Sequence, residues 1–189
     1  MSSHPLQWLA LAVVFLAGAS LLYFTFRTGI SPIPSSRLQR EAMLTAAENT
    51  EGPIYELGAG WGALAFALAD RFPHAQVVAF ELSWVPYAVM RVRQGLRPRL
   101  NLSLRRADFL SASLGPAQLF VCYLFRGAME ALKLKLEREA SPGSRLITHT
   151  FSVPGWKSES EQTLDDLYRT PLFVYRVAPN GPHWGKPRS

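Results

Sequence analysis

Seven consecutive residues, Glu56-Leu57-Gly58-Ala59-Gly60-Trp61-Gly62, join an acidic side chain to three closely spaced glycines. Glycines so placed let a backbone turn tightly and approach a ligand with no Cβ in the way. A lone GxGxG is weak, since short glycine patterns occur by chance. Three carboxylates at suitable intervals strengthen it. Glu56 precedes the glycines. Glu81 follows Gly58 by 23 residues, where an acidic residue can accept hydrogen bonds from both hydroxyls of a ribose. Asp108, in Ala107-Asp108-Phe109, is placed to accept from an exocyclic adenine amine.

Glu56 discriminates between cofactors. A loop built for a pyrophosphate sets amides and a helix N-terminus against negative charge, and a carboxylate there is unhelpful. It becomes favourable when the ligand bears an ammonium and a sulfonium, as S-adenosylmethionine does. The plainer reading makes Glu56, Glu81 and Asp108 solvated carboxylates at strand ends; their ordered spacing favours the cofactor. The candidate cofactor-binding residues are Glu56, Gly58, Ala59, Gly60, Gly62, Glu81, Leu82, Asp108 and Phe109.

These residues need a framework, and the letters around them alternate strand with helix. Strands are expected at 54–57, 76–80, 100–105, 118–125, 145–151 and 172–177, with 163–168 as hairpin partner of the last. Helices are expected at 37–48, 63–72, 84–94 and 129–139, with Pro86 tolerated in a first turn. The nearly continuous apolar run 118–125 suits a strand buried on both faces. This pattern specifies an α/β domain, a Rossmann-like and mainly parallel sheet with a terminal antiparallel hairpin.

The chain has 189 residues, enough for one domain with a sizeable core. Its 48% apolar content excludes a disordered chain, and its single cysteine excludes a disulfide scaffold. With 20 Lys+Arg against 14 Asp+Glu, the net charge of +6 points to an anionic partner. Leu6 to Phe26 is 21 residues without a charge, 17 of them apolar, and all 34 charged residues follow it. As a helix it measures roughly 31 Å, close to the roughly 30 Å hydrocarbon core of a bilayer. A cleaved signal peptide ending near Ala17-Gly18-Ala19 and a buried core helix are the alternatives; the first lacks a basic start and the second is unusual for so long an uncharged run. The expected organisation is a transmembrane anchor at 1–27, a turn-rich linker at 28–36, an enzyme domain at 37–178 and a loose tail at 179–189. Arg27, Arg37 and Arg40 follow the span, which places the domain on the cytoplasmic or an equivalent reducing side.

In order and spacing, Glu56 to Gly62, Glu81 and Asp108 resemble the first three motifs of the class I (seven-strand) S-adenosylmethionine-dependent methyltransferases, over residues 37–177. More narrowly, the chain resembles the membrane-anchored lysine methyltransferases of the ATP synthase c-subunit and the adenine nucleotide translocase, or their prokaryotic relatives. The shared features are an apolar N-terminal run, a Pro-x-Pro linker and a Phe-x-x-Pro-x-Trp turn, here Phe151-Ser-Val-Pro154-Gly-Trp156. The loop departs from that group's usual Asp-x-Gly-Ser-Gly-Asp-Gly, with Trp61 where an acid often stands. The resemblance implies S-adenosylmethionine as cofactor, a membrane protein as substrate, and an acceptor site beyond the fourth strand. Tyr123 and Phe125 are the candidates to line it, with plain strand packing as the alternative. The acidic or Asn residue and Pro-Pro-Tyr common there in the family are absent.

The remaining signals are weaker. Methylation of a lipid or small molecule, or a non-catalytic module that binds the cofactor, would fit the same features. A nicotinamide oxidoreductase is disfavoured by Glu56 and by the lack of a Ser/Tyr/Lys set. His4, His74, His149 and His183 lack metal-ligand spacing, so no metal is expected. His149 reads as a surface residue, with facing the acceptor as its other possibility. Cys122 reads as a small buried apolar residue. Arg91, Arg93, Arg97, Arg99, Arg105 and Arg106 fall within 16 residues without an acid among them; they read as a solvated face or as contacts to anionic lipid, and no nucleic-acid motif accompanies them.

Overall fold

The structure, a computed structural model, describes residues 5–28 and 36–177, without the side chains of 13, 16, 17, 21 and 24–28. The linker prolines and the tail lie outside the described residues. The elements run α1 (Pro5–Thr28), α2 (Arg37–Ala46), β1 (Ile54–Leu57), α3 (Ala63–Arg71), β2 (Val77–Phe80), α4 (Trp84–Leu96), β3 (Leu102–Arg105), β4 (Leu119–Cys122), α5 (Arg126–Glu139), β5 (Arg145–His149), β6 (Ser160–Thr163) and β7 (Pro171–Arg176).

The strands form one sheet in the order β3-β2-β1-β4-β5-β7-β6. The first five are parallel, and β7 enters antiparallel between β5 and β6. Every residue of β1, β2 and β4 is buried, as continuous apolar strands covered on both faces must be. Side chains alternate between two cores. Ile54, Ala79, Val121 and Ile147 meet Met43 and Leu44 of α2, Leu64 and Phe66 of α3, and Met90 of α4. On the opposite face Tyr55, Leu57, Phe80, Phe120 and Tyr175 meet Met129, Leu132 and Leu136 of α5.

Local chemistry sets the helix ends. Ser36 Oγ accepts from Gln39 N at 3.2 Å while Gln39 Oε1 accepts from Ser36 N at 2.8 Å, a reciprocal cap on α2. At its other end Arg145 donates to the carbonyls of Ala46, Ala47 and Glu48 and to Thr50 Oγ1, joining a helix terminus to β5 through a cation.

One expectation needs correction. The hairpin partner of the last strand is 160–163, not 163–168. All four of its residues, Ser-Glu-Gln-Thr, are exposed, so it shows no apolar alternation; 164–170 forms the turn, in which Asp166 Oδ1 and Oδ2 accept from Thr170 N and Oγ1 at 2.7 and 2.6 Å. The backbone of 5–28 is one 24-residue helix, but among the described residues no helix is long and apolar enough to cross a membrane. The described side chains of α1 include Leu6, Trp8, Leu9, Leu11, Val14, Phe15, Leu22 and Tyr23, all exposed.

Candidate functional site

The register puts the carboxyl ends of β1, β2 and β4 side by side, with Leu57 paired to Phe80 on one flank and Cys122 on the other. Ligands of open parallel sheets bind beyond such ends, where the strand order reverses. Here β1 is the starting strand, with β2 and β4 leaving on opposite sides. A hollow of about 540 Å³ lined by Thr50, Gln118 and Arg145 opens at the opposite edge, which is the wrong end of the strands for that chemistry.

The loop after β1 is held from below and from the side. Gly58 N and Ala59 N both donate to Phe80 O, at 3.0 and 2.8 Å. Gly60 N donates to Glu81 Oε2 at 2.8 Å, and Ser83 N to Glu81 Oε1 at 2.6 Å. One carboxylate thus ties the glycine loop to the start of α4. Charge-assisted bonds of this length are strong, and an ionised carboxylate offers about four lone-pair directions, so acceptor capacity for ribose hydroxyls remains. Gly62 stands at the N-cap of α3 with φ +78°, and a Cβ there would meet Met90 Sδ at 2.7 Å. At Gly60, with φ +54°, a Cβ would meet nothing within 4 Å; this is the open side of the cradle.

Glu56 is 5% exposed, and its Oε2 has no hydrogen-bond partner. Burial, reinforced by the Glu81 charge, holds its pKa well above the usual carboxylate range, while the Ala65 amide acts the other way. A buried, half-satisfied carboxylate at the mouth of a glycine loop is costly in isolation. A cationic ligand restores the balance. The ammonium and sulfonium of S-adenosylmethionine fit this donor set, whereas a pyrophosphate would face two carboxylates.

The other expected cofactor residues gather at the same edge. Leu82 is half-buried beside Glu81. Asp108 follows β3 and is fixed by Leu110 N donating to its Oδ1 at 2.9 Å, and Phe109 packs on the α5-side core. Tyr123 and Phe125 follow β4, both half-buried. The Phe125 ring lies over Gly127, where a Cβ would meet Cε2 at 2.8 Å.

His149 departs from its surface reading. It is 1% exposed and stacks on Tyr123 with ring centroids 4.2 Å apart and planes at 18°. Its Nδ1 lies 3.0 Å from Thr150 Oγ1. Burial pushes the imidazole down to about 4, against the pull of the Asp166 charge, so the ring is neutral at pH 7. Nothing in the letters around His149 announces this; β7 pairs with its strand and Tyr123 covers its ring, both contacts distant in sequence. Cys122 is buried as expected, its thiol pushed up to about 12, chiefly by burial, which leaves it unreactive. The Phe151–Trp156 turn is clamped beside this aromatic pair. Trp156 Nε1 donates to Glu137 Oε1 at 2.9 Å, Lys133 Nζ to Pro154 O at 2.9 Å, and Val153 N to the Tyr175 hydroxyl at 3.1 Å. Among the described residues no cluster of His, Cys, Asp and Glu could hold a metal.

A family model described as the ANTKMT methyltransferase domain matches residues 56–160, more than half of the chain. A protein-lysine N-methyltransferase of Saccharolobus islandicus (strain REY15A) is 27% identical over 139 residues, covering 71% of this chain and 84% of that protein. An RNA methyltransferase from Salinibacter ruber, solved with S-adenosyl-L-homocysteine, superimposes with TM-score 0.72 at 21% identity, over 80% of this chain and 97% of its own. A putative methyltransferase of Escherichia coli, yhhF, gives TM-score 0.64 at 16% identity, over 78% and 89%. At such identities the solved structures establish the fold alone.

Proposed function

Because the chain belongs to the ANTKMT methyltransferase domain family and is an S-adenosylmethionine-dependent methyltransferase, we propose that it methylates lysine side chains of a membrane protein. When bound, S-adenosylmethionine supplies a methyl group already activated by its sulfonium. The observation that carries the cofactor part of this reading is Glu56, a buried carboxylate with an unmet oxygen beside the glycine loop. Glu56 would face the cationic end of the cofactor. Gly58, Ala59, Gly60 and Gly62 would let it approach the backbone, Glu81 and Leu82 would hold the ribose, and Asp108 and Phe109 the adenine.

Displacement at an activated carbon is accelerated by alignment and by excluding water. Tyr123 and Phe125 would wall the acceptor channel. A lysine must lose its proton before it attacks, and an aromatic, poorly hydrated channel favours the neutral amine. His149, held neutral against Tyr123, adds apolar surface to that wall and no positive charge to repel the incoming ammonium. The lysine-methylating relative supports the choice of acceptor.

Membrane attachment would come from α1, whose exposed Leu, Val and aromatic side chains are costly in water. Arg27, Arg37 and Arg40 just after this run would then favour the cytoplasmic or an equivalent reducing face for the domain. The test is radiolabelled methyl transfer to native membranes, followed by identification of the labelled residue. Label on a lysine of a protein band is the expected result. Label in the lipid extract would replace this reading with lipid methylation, and bound cofactor without transfer would replace it with a non-catalytic module.

A further inference from the structure

From Leu82 to Ala107 the chain holds six arginines and no acidic residue. Folded, this stretch includes α4, whose Pro86 and Met90 are buried. Val85, Val89, Val92 and Leu96, spaced four, three and four apart, share an adjoining face, half-buried at Val85. Val89 is 44% exposed, Val92 62% and Leu96 77%, and Leu100 just beyond the helix is fully exposed. Arginines border this aliphatic row. Arg93 and Arg99 sit over the Phe66 ring at 4.1 and 4.9 Å, and Arg99 also grips Asp70 through two bonds of 2.8 and 2.9 Å. Arg91 and Arg97 are exposed and have no carboxylate partner among the described residues. Helix α1 reaches α4 yet leaves Val89, Val92 and Leu96 open.

We propose that this face of α4 lies on an anionic lipid surface, with Val89, Val92, Leu96 and Leu100 in the acyl boundary and Arg91 and Arg97 on lipid phosphates. Aliphatic tips framed by arginines, with no acid between them, have the composition of an interfacial helix. RNA would use the arginines but has no use for the aliphatic row. The proposal rests on the membrane attachment proposed above and sharpens the substrate class. Ser83, which opens α4, is tied to Glu81, so a helix lying on lipid holds the cofactor mouth at the membrane surface. Lysines at that surface are then the ones in reach.

The test places a nitroxide on Leu96→Cys in the full chain, where buried Cys122 leaves the introduced thiol as the one labelled. Vesicles are phosphatidylcholine with or without phosphatidylserine. On the anionic vesicles the nitroxide should become accessible to oxygen and shielded from an aqueous nickel reagent. Arg91→Glu with Arg97→Glu should weaken that preference at least about tenfold, while S-adenosylmethionine binding by calorimetry stays unchanged and reports an intact fold. A label that stays wet on vesicles carrying the chain overturns the proposal and leaves attachment through α1 standing. Displacement of the chain from vesicles by RNA, or dipolar coupling between labels without vesicles, overturns it in favour of nucleic acid or a second copy. A chain that never floats with vesicles overturns both this proposal and the attachment reading, and leaves methyl transfer to be judged by its own assay.

Discussion

At the scale of single residues, two carboxylates one strand apart do different work. Glu81 positions the loop and the start of α4 through one backbone amide on each oxygen and keeps acceptor capacity for the ligand. Glu81→Ala should abolish S-adenosylmethionine binding by calorimetry, because the loop loses its tether and the ligand an acceptor; binding at wild-type strength would remove Glu81 from the site. Glu56 is strained by its surroundings. Its folded pKa is raised, so the folded state binds the proton more tightly than the unfolded one, and stability falls as pH rises from the unfolded value through the folded one. Glu56→Gln should therefore stabilise the ligand-free protein at pH 7 by about 1–3 kcal/mol, or roughly 2–4 °C in Tm per kcal/mol for a chain of this size. The gain should vanish near pH 4.5 and be accompanied by weaker cofactor binding. The glycines and Glu56 were legible because they are adjacent letters; the knot that Glu81 makes was not, since both of its amides come from backbone, which has no letter of its own. His149 was misread for a related reason, its burial being the work of Tyr123 and β7.

At the scale of elements, the six strands and four helices expected in the domain from periodicity and turn signals all appear, with bounds that differ from the sequence expectation by three residues at most. The hairpin partner is the exception, because Ser160–Thr163 is a wholly exposed edge with no period-two apolar signal to read. The joints between elements were also hidden. Gly62 shows why a glycine must stand where β1 passes into α3: its φ is +78° and Met90 of α4 fills the space a Cβ would take. Gly62→Ala should cost about 1–3 kcal/mol through strain and overpacking, read as a lower denaturation midpoint with unchanged slope. Arg145 is the corresponding joint between α2 and β5. Arg145→Ala leaves the Ala46 and Glu48 carbonyls and Thr50 Oγ1 without this donor, while Ala47 O keeps the Thr50 hydroxyl, and should lower stability by about 1–3 kcal/mol; Arg145→Lys should recover part of it, a point charge replacing a planar fork.

At the scale of the whole molecule, an uncharged apolar run precedes a basic domain of ordinary composition, and the proposed attachment rests on the two together. If α1 seats in lipid, the full chain should stay with the membrane fraction after high-salt and alkaline washing, since apolar burial is not screened; release by salt alone would assign attachment to the arginines instead. The sheet has one further property. Its last strand β7 is inserted between β5 and β6, so the side of β5 that carries Leu146 to His149 stays unpaired until residues 171–176 have been made. During synthesis at about 5–20 residues per second, the partner strand of that edge is complete roughly 1–5 s after β5 itself. An unprotected strand of this kind is a template for pairing with other chains, a hazard that ends at this edge once β7 seats against β5.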